Sequence, residues 1–251
     1  MPDEAFWTLH DGLPRQGPGD RASTLRALAL MAELPSAPAI LDIGCGPGMQ
    51  TLDLARAARD AAITAVDIHL EFLAELERRA EAAGLAARIV TRRASMTALP
   101  FAEASFDAVW CEGAIYLMGL GEGLTAWKPL LKPRGYVALT EPCWLKPAEE
   151  VPGAVRRLWA PYPAMTSITE TAAIIARGGY REIGRFVLPE SAWWDGYYTP
   201  LEARLGSLRA AHGHDPVPSA RIDEARAEID AYREYADVYG YVFFVMRREA
   251  E

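Results

Sequence analysis

Apolar and polar residues alternate along the first 141 positions in a way that predicts strands separated by helices. Short apolar runs, typical of buried strands, occupy 39–43, 62–67, 88–91, 106–111 and 136–141. Segments with helical spacing lie between them at about 49–58, 69–83 and 122–131, with a turn and short helix at 94–101. This order predicts a doubly wound α/β fold, in which a mostly parallel sheet carries helices on both faces.

The pattern is less regular after residue 141. Two stretches, at about 142–165 and 189–237, are rich in proline or aromatic residues and are predicted to be insertions that form a helical and aromatic cap. Both lie in connections that should cover the carboxyl end of the sheet. The remaining elements are predicted as a helix at about 167–177, a strand near 182–188 and a final strand at 239–246.

The chain before the first strand is predicted to form a segment of its own, 1–37. An amphipathic helix is expected over 23–31, capped by Asp20 or Ser23 and stopped before Pro35. This segment could be a lid over the turn that follows the first strand, or a frayed terminus with a packing helix. The main domain is then 38–251.

Composition excludes several classes of function. At 251 residues and a formal net charge of −8, the chain has room for one large domain and no basic excess for nucleic-acid phosphates. No apolar run is long enough for a membrane span, and the acidic N-terminus is unlike a signal peptide. Three widely spaced cysteines without a CxxC pair favour a reduced, cytoplasmic protein.

A glycine-rich turn follows the first predicted strand directly. Asp42 lies in the strand end, and Gly44, Gly46 and Gly48 precede a helical stretch. Strand, glycine turn and helix open a nucleotide-binding unit, because glycines let the backbone approach a ligand and the helix N-terminus favours polar groups. Met49 occupies the place of the third glycine in the dinucleotide fingerprint, which opposes a dinucleotide-dependent oxidoreductase.

An acidic residue, Asp67, ends the second predicted strand 23 residues after Gly44. At this distance a carboxylate commonly accepts hydrogen bonds from two ribose hydroxyls. The alternative is a solvent-exposed carboxylate at a strand end. With the ribose on Asp67, Ile68 would pack on the adenine.

Several motifs now stand in one order along the chain. The sequence resembles the class I S-adenosylmethionine-dependent methyltransferases, and within them the UbiE-like group with the methyltransferase type 11 domain. The resemblance rests on the segments 41–48, 95–101, 106–109 and 130–136 and on Asp67. Segments 15–19, 110–116 and 239–243 resemble a bacterial subgroup of small-molecule methyltransferases with no settled substrate. Ser95 departs from the family, which often has an aspartate there.

The resemblance implies a Rossmann-like sheet of seven strands with an antiparallel last strand, and S-adenosylmethionine as cofactor. It implies a loop around the methionine and ribose, a carboxylate on the ribose, and an adenine pocket that includes Met96. The residues expected to bind the cofactor are Gln16, Gly17, Asp42, Gly44, Cys45, Gly46, Gln50, Asp67, Ile68, Ser95, Met96 and Glu112. Glu112 would face the sulfonium end or the methionine amino group, or would be a buried carboxylate that holds a loop.

The implied reaction is an in-line methyl displacement, which requires a general base only if the acceptor keeps its proton at neutral pH. The candidate bases are Glu141, Tyr116 and His10. Glu141 ends the fifth strand, and it could instead be an acid bonded to nearby amides. His10 is expected to be a surface histidine unless the N-terminal segment forms a lid over the site. His212 and His214 are expected in a solvated loop, so no metal site is predicted.

Aromatic residues are concentrated in the two predicted insertions. These are Trp144, Trp159, Trp193, Trp194, Tyr197 and Tyr198. They could wall a site for an apolar or cationic small molecule, pack the cap onto the domain, or form the surface of a homodimer. Small-molecule methylation is the expected function. A protein that binds the cofactor without turnover is the main alternative, and a dinucleotide-dependent oxidoreductase is the second.

Overall fold

The computed structural model describes residues 4–210 and 219–249. Its described residues form a sheet of eight strands, with seven in the order β3-β2-β1-β4-β5-β8-β7 and the two-residue β6 paired to β5. β8 is antiparallel to both its neighbours, and the other pairings are parallel. The strands are β1 Ala39–Ile43, β2 Ala62–Asp67, β3 Ile89–Arg93, β4 Phe106–Cys111, β5 Leu131–Trp144, β6 Thr166–Ser167, β7 Tyr180–Val187 and β8 Tyr239–Arg248. The predicted doubly wound sheet with an antiparallel last strand is confirmed.

Helices cover both faces of this sheet. They are α1 Glu4–His10, α2 Arg21–Ala29, α3 Met49–Ala57, α4 Leu70–Ala82, α5 Leu120–Trp127, α6 Gly153–Leu158, α7 Ile168–Arg177, α8 Glu190–Trp193, α9 Thr199–Ala210 and α10 Ser219–Tyr235. Successive strand residues point to opposite faces, so Ile40 joins the core under α3, α4 and the cap while Leu41 joins the core under α5 and α7. None of the described helices is long and apolar enough to cross a membrane.

The strand β5 is longer than the six residues predicted for it. It runs through Pro133 and Pro142, which the sequence pattern places outside a strand. Pairing of β5 with β4 ends at Leu139, so the missing N–H of Pro142 removes no bond to that neighbour, while β8 pairs as far as Trp144. The prediction that a connection begins at residue 142 is therefore wrong by a few residues.

Two further local predictions differ from the structure. α1 was not expected, because seven residues show little periodicity; tertiary contacts hold it, including a 3.0 Å bond from Arg204 Nη2 to the carbonyl of Thr8. The short helix expected within 94–101 is a turn instead. There the hydroxyl of Ser95 accepts from the backbone N–H of Thr97, a local bond that competes with helix formation.

Aromatic packing assembles the cap. A π-helical turn, Trp194–Tyr198, joins α8 to α9. Trp193 stacks on Tyr232 of α10 with ring centroids 4.0 Å apart, and both are almost wholly buried. Asp20 caps α2 by accepting from the N–H of Ser23 at 2.6 Å, which selects one of the two predicted caps. The N-terminal segment and the cap thus meet over the carboxyl end of the sheet.

Candidate functional site

A cavity of about 440 Å³ lies at the carboxyl ends of β1, β2 and β4, under the N-terminal segment. It is lined by every predicted cofactor-binding residue except Asp42, namely Gln16, Gly17, Gly44, Cys45, Gly46, Gln50, Asp67, Ile68, Ser95, Met96 and Glu112. Tyr116 lines it as well, whereas His10 and Glu141 do not. The structure therefore brings together residues that lie up to about a hundred positions apart in sequence.

The floor of the cavity is the glycine turn after β1. Gly44, Gly46 and Gly48 have φ angles of +68°, +52° and +84°, in the left-handed region that favours glycine. A Cβ on Gly44 would lie 2.6 Å from the Cβ of Ala114, and one on Gly48 would lie 2.1 Å from Cδ1 of Leu76. Glycine is thus required at these two positions by space as well as by backbone conformation.

Asp67 joins the tips of β1 and β2. Its carboxylate accepts from the N–H of Gly46 at 2.9 Å and from the N–H of His69 at 3.0 Å. Burial raises the pKa of Asp67, and the backbone bonds to His69 and Gly46 act in the opposite direction. These bonds fix the carboxylate at the cavity wall, beside Ile68, in the position predicted for a ribose acceptor.

Asp42 lies behind the turn and is wholly buried. Its Oδ2 accepts from the hydroxyl of Thr51 at 2.6 Å and from Nε2 of Gln50 at 3.3 Å. Burial raises the pKa of Asp42 to about 7. Gln50 also donates to the carbonyl of Cys45 at 3.0 Å. Asp42 therefore helps to hold the turn and does not line the cavity.

An ion pair closes the cavity from above. Arg15 Nη1 of the N-terminal segment lies 2.9 Å from Oε2 of Glu112, and both side chains are less than a tenth exposed. The other carboxylate oxygen accepts from Thr24 Oγ1 at 2.7 Å and from Trp110 Nε1 at 2.9 Å. Glu112 thus ties the segment to the end of β4, although it also lines the cavity.

Two buried polar atoms at this closure have no hydrogen-bond partner among the described residues. They are Nη2 of Arg15 and Oε1 of Gln16, and both residues line the cavity. A guanidinium N–H suits a carboxylate, and an amide oxygen suits an ammonium group. An α-amino acid carries both groups. The site therefore fits the methionine end of S-adenosylmethionine, with Asp67 available to its ribose.

Aromatic side chains cover the opposite side of the cavity. Trp7 of α1 stacks on His69 with ring centroids 4.3 Å apart, and Phe72 of α4 meets Trp7 edge-on at 5.6 Å. Trp7 and Phe72 both line the cavity. Trp7 was not predicted as a site residue, because the residues of α1 show no helical periodicity in their hydrophobic pattern. Phe72 lies in the predicted helix 69–83 and was not predicted as a site residue either.

At the far end, Tyr116 separates the cavity from a buried acid. Its ring lies 5.6 Å from that of Tyr162, whose hydroxyl donates to Oε1 of Glu141 at 2.5 Å. Glu141 is 2% exposed, and burial raises its pKa to about 7. His10 is also buried, with its ring stacked 6.3 Å from that of Tyr197, so it is not a surface histidine.

No metal site is present in the described part of the chain. No group of three His, Cys, Asp or Glu side chains there could hold a metal ion. His212 and His214 lie outside the described residues. All three cysteines are buried, and burial raises the pKa of each thiol, so none is set up as a nucleophile.

The chain is similar to known methyltransferases in sequence. Residues 40–135 match the methyltransferase domain family. The 27-O-demethylrifamycin SV methyltransferase of Amycolatopsis mediterranei (strain S699) is 29% identical over 233 residues, 88% of this chain and 81% of that one. The dimethylglycine N-methyltransferase of Parasynechococcus marenigrum (strain WH8102) is 32% identical over 143 residues, 56% of this chain and 47% of that one. The chain spans between 24% and 81% of the length of the curated relatives that it matches.

Solved structures extend the likeness to the whole fold. The S-adenosylmethionine-dependent methyltransferase from Geobacter sulfurreducens, in complex with S-adenosyl-L-homocysteine, superimposes with a TM-score of 0.84 at 19% identity and covers 98% of both chains. Residues 40–135 therefore match the methyltransferase domain family, and the chain as a whole has the fold of this S-adenosylmethionine-dependent methyltransferase.

Proposed function

We propose that this protein transfers a methyl group from S-adenosylmethionine to a small-molecule acceptor. The observation that carries the proposal is the pairing of two features in one cavity. Asp67 and the glycine turn lie at one side, and the unpartnered buried atoms of Arg15 and Gln16 lie at another. A cavity of about 440 Å³ is within the usual range for sites that enclose one small ligand.

Each part of the cavity has a role in holding the cofactor. Asp67 would accept from the ribose, and Ile68, Ser95 and Met96 would surround the adenine. Arg15 and Gln16 would bind the carboxylate and ammonium groups of the methionine end. When bound, S-adenosylmethionine supplies an electrophilic methyl group on a positively charged sulfur. Tyr116 lies where the acceptor would approach.

The remaining task of the chain is to position the acceptor and to exclude water. Alignment of a nucleophile about 3 Å from the reacting carbon supplies much of the rate enhancement in a displacement. Trp7 and the Arg15–Glu112 ion pair cover part of the cavity and would limit the access of water to it. This division of labour needs no covalent catalysis.

Three observations support a small acceptor. The two methyltransferase relatives are named for small molecules, a rifamycin and dimethylglycine. The net charge of −8 disfavours nucleic acid as a substrate. Buried aromatic residues, rather than exposed basic ones, surround the Tyr116 end. From the motifs quoted above we also infer membership of the UbiE-like group. From the widely spaced cysteines we infer a cytoplasmic location. A homodimer is the assembly to test first.

A second candidate is a protein that binds S-adenosylmethionine without turnover. One observation favours it: of the three predicted bases, only Tyr116 lines the cavity. The fold by itself does not fix the reaction. A dinucleotide-dependent oxidoreductase is disfavoured by Met49, as the glycine spacing predicts.

The test begins with calorimetric titration of S-adenosylhomocysteine and NAD into the purified protein. It continues with labelled-methyl transfer to pools of small molecules. We expect S-adenosylhomocysteine to bind, NAD not to bind, and at least one pool to be labelled. Binding without label in any pool would support the non-catalytic candidate. Tight NAD binding without S-adenosylhomocysteine would support the oxidoreductase.

A further inference from the structure

Beyond Tyr116 the structure contains two carboxyl groups on different elements, the buried Glu141 and the half-buried Glu228. Glu141 lies near the end of β5, with Oε1 bonded to the hydroxyl of Tyr162 and Oε2 buried without a partner among the described residues. Glu228 lies on α10 of the cap and accepts from the hydroxyl of Tyr198 at 3.1 Å. Within the described chain, each carboxyl thus accepts a hydrogen bond from one tyrosine hydroxyl.

Neither carboxyl has a cationic partner in the described ranges 4–210 and 219–249. At the cofactor end Glu112 is paired with Arg15, and the buried Asp42 is held by the hydroxyl of Thr51 and the amide of Gln50. A buried carboxylate without a cation is costly, and a group in this condition is a candidate for ligand binding. Burial raises the pKa of both Glu141 and Glu228, and no lysine or arginine is among the causes that act on them.

Phenol rings lie beside both carboxyls, with Tyr162 bonded to Glu141 and Tyr198 bonded to Glu228. The charges of both Glu141 and Glu228 contribute to the raised pKa of Tyr116 and of Tyr241, so these two rings lie within the field of both acids. Tyr116 also contacts the ring of Tyr162 and lines the cofactor cavity. The faces of aromatic rings attract cations, and quaternary and protonated amines are commonly bound by such walls.

We propose that the methyl acceptor is a small amine, bound as its ammonium ion in the cavity against the ring of Tyr116, with Tyr162 and the carboxylate of Glu141 behind that ring. The proposal rests on the proposed function for its chemical step, and on the arrangement of rings and carboxyls for its binding step. An uncharged hydroxyl acceptor would leave both carboxyls without a cation. The geometry therefore favours an amine over an alcohol or a phenol.

The chemical step balances with these groups alone. The bound ammonium gives one proton through the hydroxyl of Tyr162, which already donates to Oε1 of Glu141, so the carboxylate of Glu141 becomes a neutral acid and the nitrogen regains a lone pair. That lone pair forms the new N–C bond to the methyl group as the C–S bond breaks and its electron pair goes to sulfur. The product leaves as a methylated ammonium ion, and Glu141 returns its proton to solvent.

The test uses binding, so that it is independent of turnover. Protein saturated with S-adenosylhomocysteine is titrated with a panel of small alkyl and arylalkyl amines, each paired with the alcohol of the same shape. Benzylamine with benzyl alcohol is one such pair. We expect at least one amine to bind about tenfold more tightly than its alcohol, as a cation–π contact and a charge pair would give. Alcohols that bind as tightly as the amines, or a panel in which no amine binds, would overturn the proposal.

Two variants assign the preference to the proposed residues. Glu141→Gln keeps an acceptor for Tyr162 and should abolish the preference for amines, while Glu224→Gln, at an exposed site on the same helix as Glu228, should leave it unchanged. An amine preference that survives Glu141→Gln would contradict the proposal. If that variant does not fold, Tyr116→Leu should lose the preference and Tyr116→Phe should keep it.

Label transfer to the same pairs separates the two proposals. Amine-selective binding without any transfer would support the cation site and contradict the methyltransferase activity. Transfer to alcohols with no amine preference would support the activity and overturn the cation site.

Discussion

The two ends of the site are built in different ways. The cofactor end is made mostly of backbone: three glycines with positive φ, and a carboxylate, Asp67, held by two backbone N–H groups. Its buried acid Glu112 has an arginine partner. The acceptor end is made of side chains, with Glu141 and Glu228 among tyrosines and without a cationic partner in the described residues.

This difference matches the difference between the two ligands. The cofactor is the same in every turnover, so its binding site can be built from fixed features. These are the spacing of the glycines and an ion pair that is already formed before the cofactor binds. At the acceptor end the buried charges are incomplete, and we propose that the substrate completes them. In this account the cofactor end contributes more to stability, and the acceptor end determines which substrate binds.

The largest effect should come from removing the cation at the cofactor end. Arg15→Ala leaves Glu112 buried and unpaired, and loss of one partner of a buried ion pair costs about 3–5 kcal/mol of stability. We expect the variant to lose stability of this size in urea unfolding. It should also bind S-adenosylhomocysteine more weakly, because Nη2 of Arg15 is lost from the cavity.

The double variant Arg15→Ala/Glu112→Gln sharpens this expectation. It should recover part of the stability, since no buried charge is left alone, without recovering cofactor affinity. A single variant as stable as the wild type would contradict the role given to the ion pair.

The opposite change at the acceptor end should stabilise the protein. The pKa of Glu141 is raised in the fold, from 4.5 to about 7. The contribution of Glu141 to the stability of the wild type is therefore fully present below about pH 4.5 and is lost as the pH rises through about 7, whereas Gln does not titrate. Glu141→Gln should gain up to about 3 kcal/mol over the wild type across this window. Urea unfolding at several pH values measures it, and a difference that is constant with pH would refute it.

At the glycine turn, the lack of space for a side chain can be tested separately from the need for a positive φ. Gly44→Ala places a Cβ 2.6 Å from that of Ala114 at φ +68°, and we expect S-adenosylhomocysteine to bind about 100-fold more weakly, or about 2.7 kcal/mol. Gly84 is the matched control, because it has φ +67° with nothing within 4 Å of the added Cβ. Gly84→Ala should cost about 1 kcal/mol of stability and leave cofactor affinity unchanged. Equal effects of the two variants on affinity would contradict the steric argument.

The smallest of these effects is expected at Asp67. Asp67→Ala removes a charged acceptor for the ribose and should weaken S-adenosylhomocysteine by about 1–3 kcal/mol. Part of that loss will come from the N–H of Gly46, which the carboxylate also holds. Calorimetry on Asp67→Asn, which keeps one acceptor oxygen, should show an intermediate loss. Unchanged affinity in Asp67→Ala would show that the ribose lies elsewhere.

The two ends also differ in how far they could be predicted from the sequence. The glycine turn, Asp67 and the strands that carry them are local patterns, and the structure places β1, β2 and β4 at the predicted residues. The ion pair of Arg15 with Glu112 joins residues 97 positions apart, and no local pattern signals it. The family resemblance placed Asp42 among the cofactor-binding residues, but its carboxylate accepts from Thr51 behind the loop and does not line the cavity.

At the acceptor end, the sequence indicated which types of residue are present but not how they are arranged in space. Glu228 lies in a helix whose sequence is largely polar, and only the packing of the cap shows that it is half-buried and bonded to Tyr198. Tyr162 lies in a proline-rich stretch where no regular element was predicted, and its hydroxyl donates to Glu141 from 21 positions away. These are tertiary features, and periodicity carries no information about them.

The most direct test is a crystal structure of the protein with S-adenosylhomocysteine. We predict the ribose hydroxyls within hydrogen-bond distance of Asp67, the carboxylate of the ligand on Arg15, and its sulfur directed to Tyr116, with Glu141 beyond that ring. A nucleoside bound outside the glycine turn, or with its sulfur directed away from Tyr116, would contradict the division of the site into these two ends.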